Sequence, residues 1–254
     1  MTVHLDPARI EEAALNALQT QRQLFFDGWL LRLSPGKAKR ARSVNPHFGS
    51  SLPLDAKIDR CERLYAANAL PTLFRITPFA KPAELDAALD RRGYIAFDET
   101  LVQVAALAPR RGVARHGHVE LVDVDADAFV DAAGALRGSP DAQRDAHRER
   151  LAHSPLATRA VVARVDGHDV ACGQVAFDDD LAAIYDMVTA PQWRGRGIAT
   201  AIVDALLAHA HARGAGGVFL QVDDDNEPAL AVYRKFGFAT AYAYHYRARA
   251  GECA

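Results

Sequence analysis

The chain has 254 residues, 50% of them hydrophobic, which is enough apolar material for one large or two ordinary packed domains. Thirty Lys and Arg residues against 32 Asp and Glu residues give a formal net charge of −2, which excludes a global attraction to nucleic acid or to an anionic membrane. No uncharged run approaches the roughly 18 residues of a membrane span, and the acidic N-terminal residues lead us to expect no secretory signal.

Cysteine usage favours a reducing compartment. Cys61, Cys172 and Cys253 are an odd number and lack metal or redox spacing. We therefore expect a cytoplasmic protein with no nucleic-acid or membrane partner. A homodimer is an alternative to a monomer that the sequence leaves open.

The first half alternates helices and strands. The elements predicted from its hydrophobic pattern are a helix from Pro7 to about Gln23, strands Trp29–Leu33 and Arg40–Val44, helix Asp55–Asn68, strand Pro71–Ile76, helix Pro82–Arg92 and strand Thr100–Leu107. Ser34-Pro35-Gly36 is a turn by composition, so the first two strands are predicted to form a hairpin. Its basic residues are either a solvated strand face or a contact for an acidic substrate or phosphate; they are Lys37, Lys39, Arg40 and Arg42.

A domain boundary is predicted between the halves. Residues 108–117 contain turn formers and charges without periodicity. We place the cut near residue 115, which gives domains 1–115 and 116–254.

The second half contains a longer series of elements. They are predicted as strand His118–Val124, helices Asp125–Leu136 and Asp141–His153, strands Ala160–Val165, Asp169–Phe177 and Ala182–Thr189, a helix from Ile198 to about Gly214, strand Val218–Val222, a helix after Asn226, and strand Tyr242–Tyr246. The helix after the glycine loop is expected to have roughly 18 residues and a length of about 27 Å.

The glycine loop before that helix has an identifiable chemical use. Gly195 and Gly197 leave backbone N–H groups uncovered at a helix N-terminus, where the helix dipole favours negative charge. The loop is predicted to cradle a pyrophosphate. It is not a Walker loop, because no Gly-Lys-Ser/Thr follows, and it lacks the third glycine of the dinucleotide fingerprint.

Two motifs carry a resemblance to a known family. Gln192-x-x-Gly195-x-Gly197 resembles the coenzyme A motif of the GCN5-related N-acetyltransferase (GNAT) superfamily. Asn-x-x-Ala-x-x-x-Tyr-x-x-x-Gly-Phe, from Asn226 to Phe238, resembles the second signature of the same family. The order of elements also matches, so the resemblance covers about residues 118–250.

The resemblance implies roles for individual residues. The pantetheine arm of acetyl-CoA would pair with backbone groups of Met187, Val188 and Thr189. Its pyrophosphate would lie on the segment Arg194, Gly195, Arg196, Gly197, Ile198, Ala199 and Thr200, which follows Gln192. Asn226 would hydrogen-bond the pantetheine arm, and the phenol of Tyr233 could protonate the leaving sulfur.

The general base is harder to assign. Asp186 shares a strand face with Ile184 and Val188, where a carboxylate is expected to be paired or to have a raised pKa. It is a candidate catalytic base, but tying a neighbouring helix is an equal alternative, and a base acting through water is another. His209 and His211 cannot share a ligand face of a helix, so no metal site is predicted.

The sequence thus predicts an acetyl-CoA-dependent N-acetyltransferase with an α/β (α+β) fold. Each of two GNAT-like domains would be a mixed, mainly antiparallel sheet flanked by helices. The acceptor would be a small-molecule, peptide or protein amine. The alternative from another class is a non-catalytic acyl-CoA-binding sensor or scaffold; a nucleotide-binding module is disfavoured by the missing motif residues.

The first half is predicted to be a degenerate copy of the second. Strand 73–76, helix start Pro82-Ala83 and the segment Leu89 to Tyr94 align with strand 218–221, Pro228-Ala229 and the segment Tyr233 to Phe238. The loop Gly49 to Pro53 lacks the glycine motif and Leu89 replaces the tyrosine, so one cofactor site per chain is expected. Chance similarity between two common strand-helix-strand units is the alternative.

Overall fold

The computed structural model describes residues 5–107 and 119–253 of the chain. They adopt a mixed α/β fold, and the chain divides into two compact units. The larger unit holds the residues up to Ala17 together with Val102–Ala241, and the smaller unit holds Leu18–Leu101 and the chain from Tyr242 onwards. In the described part of the chain, no helix has the length and apolar character needed to cross a membrane.

The elements are numbered in chain order. The helices are α1 (Pro7–Ala17), α2 (Leu54–Ala67), α3 (Leu85–Arg91), α4 (Ala126–Arg137), α5 (Asp141–Ala152), α6 (Ile198–Ala212) and α7 (Glu227–Arg234). The strands are β1 (Gln23–Phe26), β2 (Trp29–Arg32), β3 (Val44–Pro46), β4 (Phe74–Ile76), β5 (Tyr94–Ala106), β6 (Glu120–Val124), β7 (Ala157–Val165), β8 (His168–Asp178), β9 (Leu181–Thr189), β10 (Gly217–Asp223) and β11 (Ala239–Arg249).

The larger unit is built on a sheet with strand order β10-β9-β8-β7-β6. Strands β6 to β9 pair antiparallel in sequence, whereas β10 pairs parallel with β9. Side chains alternate between faces, so Cys172 packs with Phe129 of α4 while the next residue, Gly173, faces Ile202 of α6. Helices α4 and α6 therefore cover opposite faces, which explains why Leu181–Ile184 of β9 are all apolar and buried.

Helix α6 follows the glycine loop, as predicted. Ile198, Ile202 and Leu206 recur every four residues, and each is at most 2% exposed. The chain leaves the helix through Gly214 at φ +79°, a left-handed conformation that costs glycine no Cβ clash. The predicted helix is confirmed with 15 residues rather than roughly 18.

The smaller unit has strand order β1-β2-β3-β4-β11-β5. Its core is aromatic: the ring of Phe74 meets those of Trp29 and Tyr94 edge-on, at centroid distances of 6.1 and 5.5 Å. Strand β3 runs parallel to β4, while β1–β2, β2–β3 and β4–β11 are antiparallel. In each unit the strand pairs are thus mixed and mainly antiparallel, as the sequence predicts.

The predicted strand Arg40–Val44 is wrong. Lys39–Ala41 form a 3₁₀ turn, because the Ala41 N–H bonds back to Ala38 at 2.9 Å and closes the chain on itself. The strand that pairs with β2 lies further along, with Leu31 opposite Val44 and Trp29 opposite Pro46.

Strand β1 is not predicted from the sequence, and α1 ends at Ala17 rather than near Gln23. A signal for the strand does exist in Asp27-Gly28, which stands between two apolar runs. Both residues have positive φ, +42° and +83°, the requirement of a two-residue hairpin turn between β1 and β2.

The compact units do not coincide with the continuous domains 1–115 and 116–254. Helix α1 belongs to the larger unit, and β11 lies mostly in the smaller one, so each unit is assembled from separate segments of chain. The predicted cut at residue 115 lies outside the described residues and stays a prediction.

Candidate functional site

A cleft opens in the larger unit where two parallel strands separate. Strand β9 pairs with β10 only through Leu181–Ile184, opposite Gly217–Leu220. Beyond Ile184, β9 continues to pair with β8 on its other side, with Val188 opposite Cys172 and Thr189 opposite Ala171. The edge of β9 that faced β10 is therefore released from the parallel ladder over its last five residues.

The cleft has a volume of about 690 Å³. Most of the residues predicted for the site line it, namely Asp186, Met187, Val188, Thr189, Arg194, Gly195, Gly197, Ile198, Ala199, Thr200, Asn226 and Tyr233. Gln192 and Arg196 do not belong to this lining. Gln192 is exposed in the short 3₁₀ turn Pro191–Trp193, and the Arg196 guanidinium lies 4.7 Å from the centroid of the Trp193 ring.

The glycine loop presents backbone N–H groups to the cleft. Gly195 and Gly197 adopt φ +73° and +79°, so both need the left-handed conformation that glycine accepts readily. The first helical hydrogen bond of α6 runs from the Ala201 N–H to Gly197 at 3.0 Å. The N–H groups of Ile198–Thr200 precede that bond and are the orphan donors of the helix N-terminus.

Helix α7 brings the second pair of predicted residues to the cleft. Asn226 is the N-cap of this helix, and its side-chain oxygen accepts from the Ala229 N–H at 3.2 Å. Tyr233 is only 7% exposed, and its ring packs against Phe238 at 5.8 Å. Tyr233 lines the cleft, and burial raises the pKa of its phenol to about 12.

Asp186 lies in the cleft wall but is held by other side chains. It receives hydrogen bonds from Arg137 at 3.2 Å, Arg150 at 3.2 Å and Gln174 at 2.8 Å, and His147 Nε2 lies 3.1 Å away. Burial alone would raise the pKa of Asp186, but His147, Arg150 and Arg137 together hold it well below its usual range. This arrangement favours the predicted alternative, anchoring of neighbouring helices, over proton transfer.

Some residues of the cleft are not predicted from the sequence. Arg137, Gln221, Asp223 and Lys235 also line it. Arg137 ends α4, 58 residues before Gly195 of the glycine loop, so no local spacing connects it with the site. Lys235 follows Tyr233 by two residues, and this closeness to a predicted site residue is the one signal that could have indicated it.

The arrangement combines three chemical features. It offers a strand edge that can hydrogen-bond an extended chain, uncovered N–H groups with basic side chains for phosphate, and a protonated phenol. An extended amide-containing chain that ends in a pyrophosphate matches the first two features. Acetyl-CoA has this form, so the residues present fit it.

Comparison with known proteins gives consistent matches. The family described as "Acetyltransferase (GNAT) family" matches residues 127–238. The uncharacterized N-acetyltransferase YobR of Bacillus subtilis (strain 168) is 26% identical over 245 residues, which cover 95% of this chain and 98% of that protein. Acetyltransferase ECA0875 of Pectobacterium atrosepticum is 32% identical over 105 residues, which cover 41% of this chain and 72% of that protein.

A solved structure shares the fold over nearly the whole chain. A GCN5-related N-acetyltransferase from Kribbella flavida superimposes with a TM-score of 0.71 at 18% identity, covering 96% of this chain and 95% of that one.

Proposed function

The chain belongs to the GNAT acetyltransferase family, and we propose that it transfers the acetyl group of acetyl-CoA to a primary amine of a small molecule, peptide or protein. The observation that carries the proposal is the cleft between β9 and β10, in which the released strand edge, the glycine loop and Tyr233 meet. Acetyl-CoA supplies the acetyl group as a thioester; the amine gains the acetyl group and loses a proton, and coenzyme A leaves as a thiol.

The chain's own groups account for binding. The backbone of Met187–Thr189 would hydrogen-bond the pantetheine arm along the released edge, and the side-chain amide of Asn226 would add a donor. Backbone N–H groups from Arg194 to Thr200 would receive the pyrophosphate, supported by the positive end of α6 and by nearby cations. The exposed Arg196 can reach phosphate oxygens only from outside the cleft wall.

Tyr233 is suited to hold a proton until the thiol leaves. Because burial raises the pKa of Tyr233 to about 12, its hydroxyl remains protonated at neutral pH. The same dry environment also disfavours a thiolate, so hydrogen-bond donation from the phenol would stabilise the sulfur as negative charge develops on it.

We further propose that the smaller unit binds no acetyl-CoA. The loop before α2 stands where the glycine loop stands before α6, but two of its N–H groups already bond to a carboxylate of the chain itself. The Asp27 carboxylate accepts from the N–H of Ser51 and of Leu52 at 3.0 Å each, and the buried Lys57 ammonium lies 3.2 Å from it. An internal carboxylate thus takes the place that a phosphate would need. A degenerate copy of the family fold is the interpretation we retain for this unit.

A titration of purified protein with coenzyme A and acetyl-CoA tests the binding part. Gly197→Glu would put a carboxylate at a backbone position of φ +79° beside the N–H groups. We expect the parent to bind and this variant to lose binding in calorimetry. Equal affinity of the two proteins would contradict the assignment of the loop.

The cytoplasmic location stays a prediction from the cysteine content.

A further inference from the structure

Asp186 occupies an irregular position in β9. Cys172 of β8 lies opposite Val188, and Gln174 lies opposite Tyr185, so Gly173 alone spans two residues of β9. Those two residues, Asp186 and Met187, therefore form a β-bulge. Asp186 has φ +55°, a left-handed conformation that is uncommon for a residue other than glycine.

The bulge determines the direction of the strand edge that the proposed function uses. The last residues of β9, Met187, Val188 and Thr189, follow the bulge directly and line the cleft. Gly173 makes room for it, since a Cβ at that position would stand 2.2 Å from the Met187 sulfur. A change in the bulge would therefore move the edge and alter the shape of the cleft.

The Asp186 cluster consists of Asp186, Arg137, His147, Arg150 and Gln174. Its members come from β9, the end of α4, α5 and β8. The side chains of His147 and Arg150 are 13% and 11% exposed, and Asp186 is 18% exposed, so solvent screens these contacts only partly.

The carboxylate of Asp186 has little capacity left for a substrate proton. An ionised carboxylate offers about four lone-pair sites. Arg137 approaches Oδ1, and Arg150, Gln174 and His147 approach Oδ2, so three partners surround the two lone-pair sites of Oδ2. The two guanidinium groups at this carboxylate also repel an incoming ammonium group.

We infer that Asp186 is a positioning residue rather than the general base: its carboxylate fastens the β9 bulge to α4 and α5, and thereby sets the direction of the strand edge Met187–Thr189. Arg150 does not itself line the cleft, and its contact with Asp186 connects it to the strand edge. The part of the inference that concerns acetyl-CoA rests on the proposed function.

A matched pair of variants in α5 separates this role from a general loss of charge. Arg150→Met removes a partner of Asp186, whereas Arg148→Met removes a cation whose partners are Asp127, Asp131 and Asp145. In hydrogen exchange, peptides covering residues 185–190 should exchange faster in Arg150→Met than in Arg148→Met. In calorimetry, Arg150→Met should raise the Kd of acetyl-CoA by about 5- to 150-fold, the usual range of coupling between distinct sites, and Arg148→Met should leave it unchanged.

Two substitutions of Asp186 itself complete the test. Asp186→Gly accepts φ +55° but lacks the carboxylate, and Asp186→Asn keeps one acceptor oxygen in a residue that tolerates this conformation. The exchange rate of residues 185–190 and the Kd of acetyl-CoA should rise most in Asp186→Gly. Both should rise less in Asp186→Asn. The inference is overturned if exchange of 185–190 is the same in Arg150→Met and Arg148→Met. It is also overturned if Asp186→Asn lowers kcat by roughly 10² to 10⁴ at constant Kd, the behaviour of a base. A parent that binds no acetyl-CoA would refute the proposed function, while the exchange comparison would still decide the role of Asp186.

Discussion

A methyl group at Gly195 should weaken coenzyme A binding, and the chain contains a control for its effect on folding. Gly195 and Gly214 have φ +73° and +79°, and a Cβ built at either position has no neighbour within 4 Å. Alanine at each site therefore meets the same backbone strain without a clash. A left-handed alanine lowers the free energy of unfolding by about 1–2 kcal/mol. Alanine also restricts the unfolded chain more than glycine does, which offsets up to about 1 kcal/mol of this loss.

The two positions differ only in what lies beside them. Gly195 lines the cleft, whereas Gly214 ends α6 away from it. A methyl group at Gly195 would hold phosphate off the backbone N–H groups. Losing one charge-assisted hydrogen bond costs about 1.5–3 kcal/mol, which corresponds to a Kd about 10 to 150 times higher.

Calorimetric titration with coenzyme A and thermal unfolding measure the two effects separately. Both variants should unfold at slightly lower temperature than the parent, by roughly 2–4 °C per kcal/mol. Gly195→Ala alone should bind coenzyme A more weakly. If Gly195→Ala and Gly214→Ala bind equally well, phosphate does not approach this loop and the reasoning is refuted.

Three further outcomes are expected. Tyr233→Phe keeps the ring contact with Phe238 but removes the proton, so kcat should fall by roughly 10² to 10⁴ with little change in acetyl-CoA affinity; an unchanged kcat in steady-state assays would assign the proton to water. The pKa of Asp186 lies well below its usual range in the folded state. Its ionised carboxylate therefore stabilises the folded protein fully above about pH 3.9, the pKa in the unfolded chain. This stabilisation is lost as the pH falls from there through the lower folded-state pKa. The difference in unfolding free energy between parent and Asp186→Asn, measured with urea, should accordingly shrink from pH 7 to pH 2, and a growing difference would contradict the assigned charge state. Titration with a non-hydrolysable acetyl-CoA analogue should give one site per chain, since Asp27 satisfies the loop before α2; two equivalent tight sites would rule this out.

The features that the sequence reveals are those encoded locally. The helix after Gly197, the N-cap at Asn226 and the buried strand before the loop follow from glycine, capping and periodicity rules that act over a few residues. For the same reason the cleft-lining positions could be proposed from two short motifs. The Asp27-Gly28 turn was equally local, so β1 could have been found from that signal.

The features that the sequence does not reveal depend on distant contacts. Arg137 and Arg150 meet Asp186 across 49 and 36 residues, and no periodicity encodes such a meeting. The left-handed conformation of Asp186 belongs to the bulge opposite Gly173, which also depends on a distant strand pairing. The composition of the compact units is a further case, because it depends on where β11 pairs, with His245 opposite Ile76.

The most direct test of the account follows the acetyl group itself. Purified protein is incubated with isotope-labelled acetyl-CoA and a panel of small amines and peptides, and labelled amide product and free coenzyme A are both quantified by mass spectrometry. The account predicts labelled amide in a one-to-one ratio with coenzyme A for at least one acceptor, with turnover strongly reduced in Tyr233→Phe. Tight binding of acetyl-CoA without any amide product would contradict it and identify the chain as an acyl-CoA-binding protein.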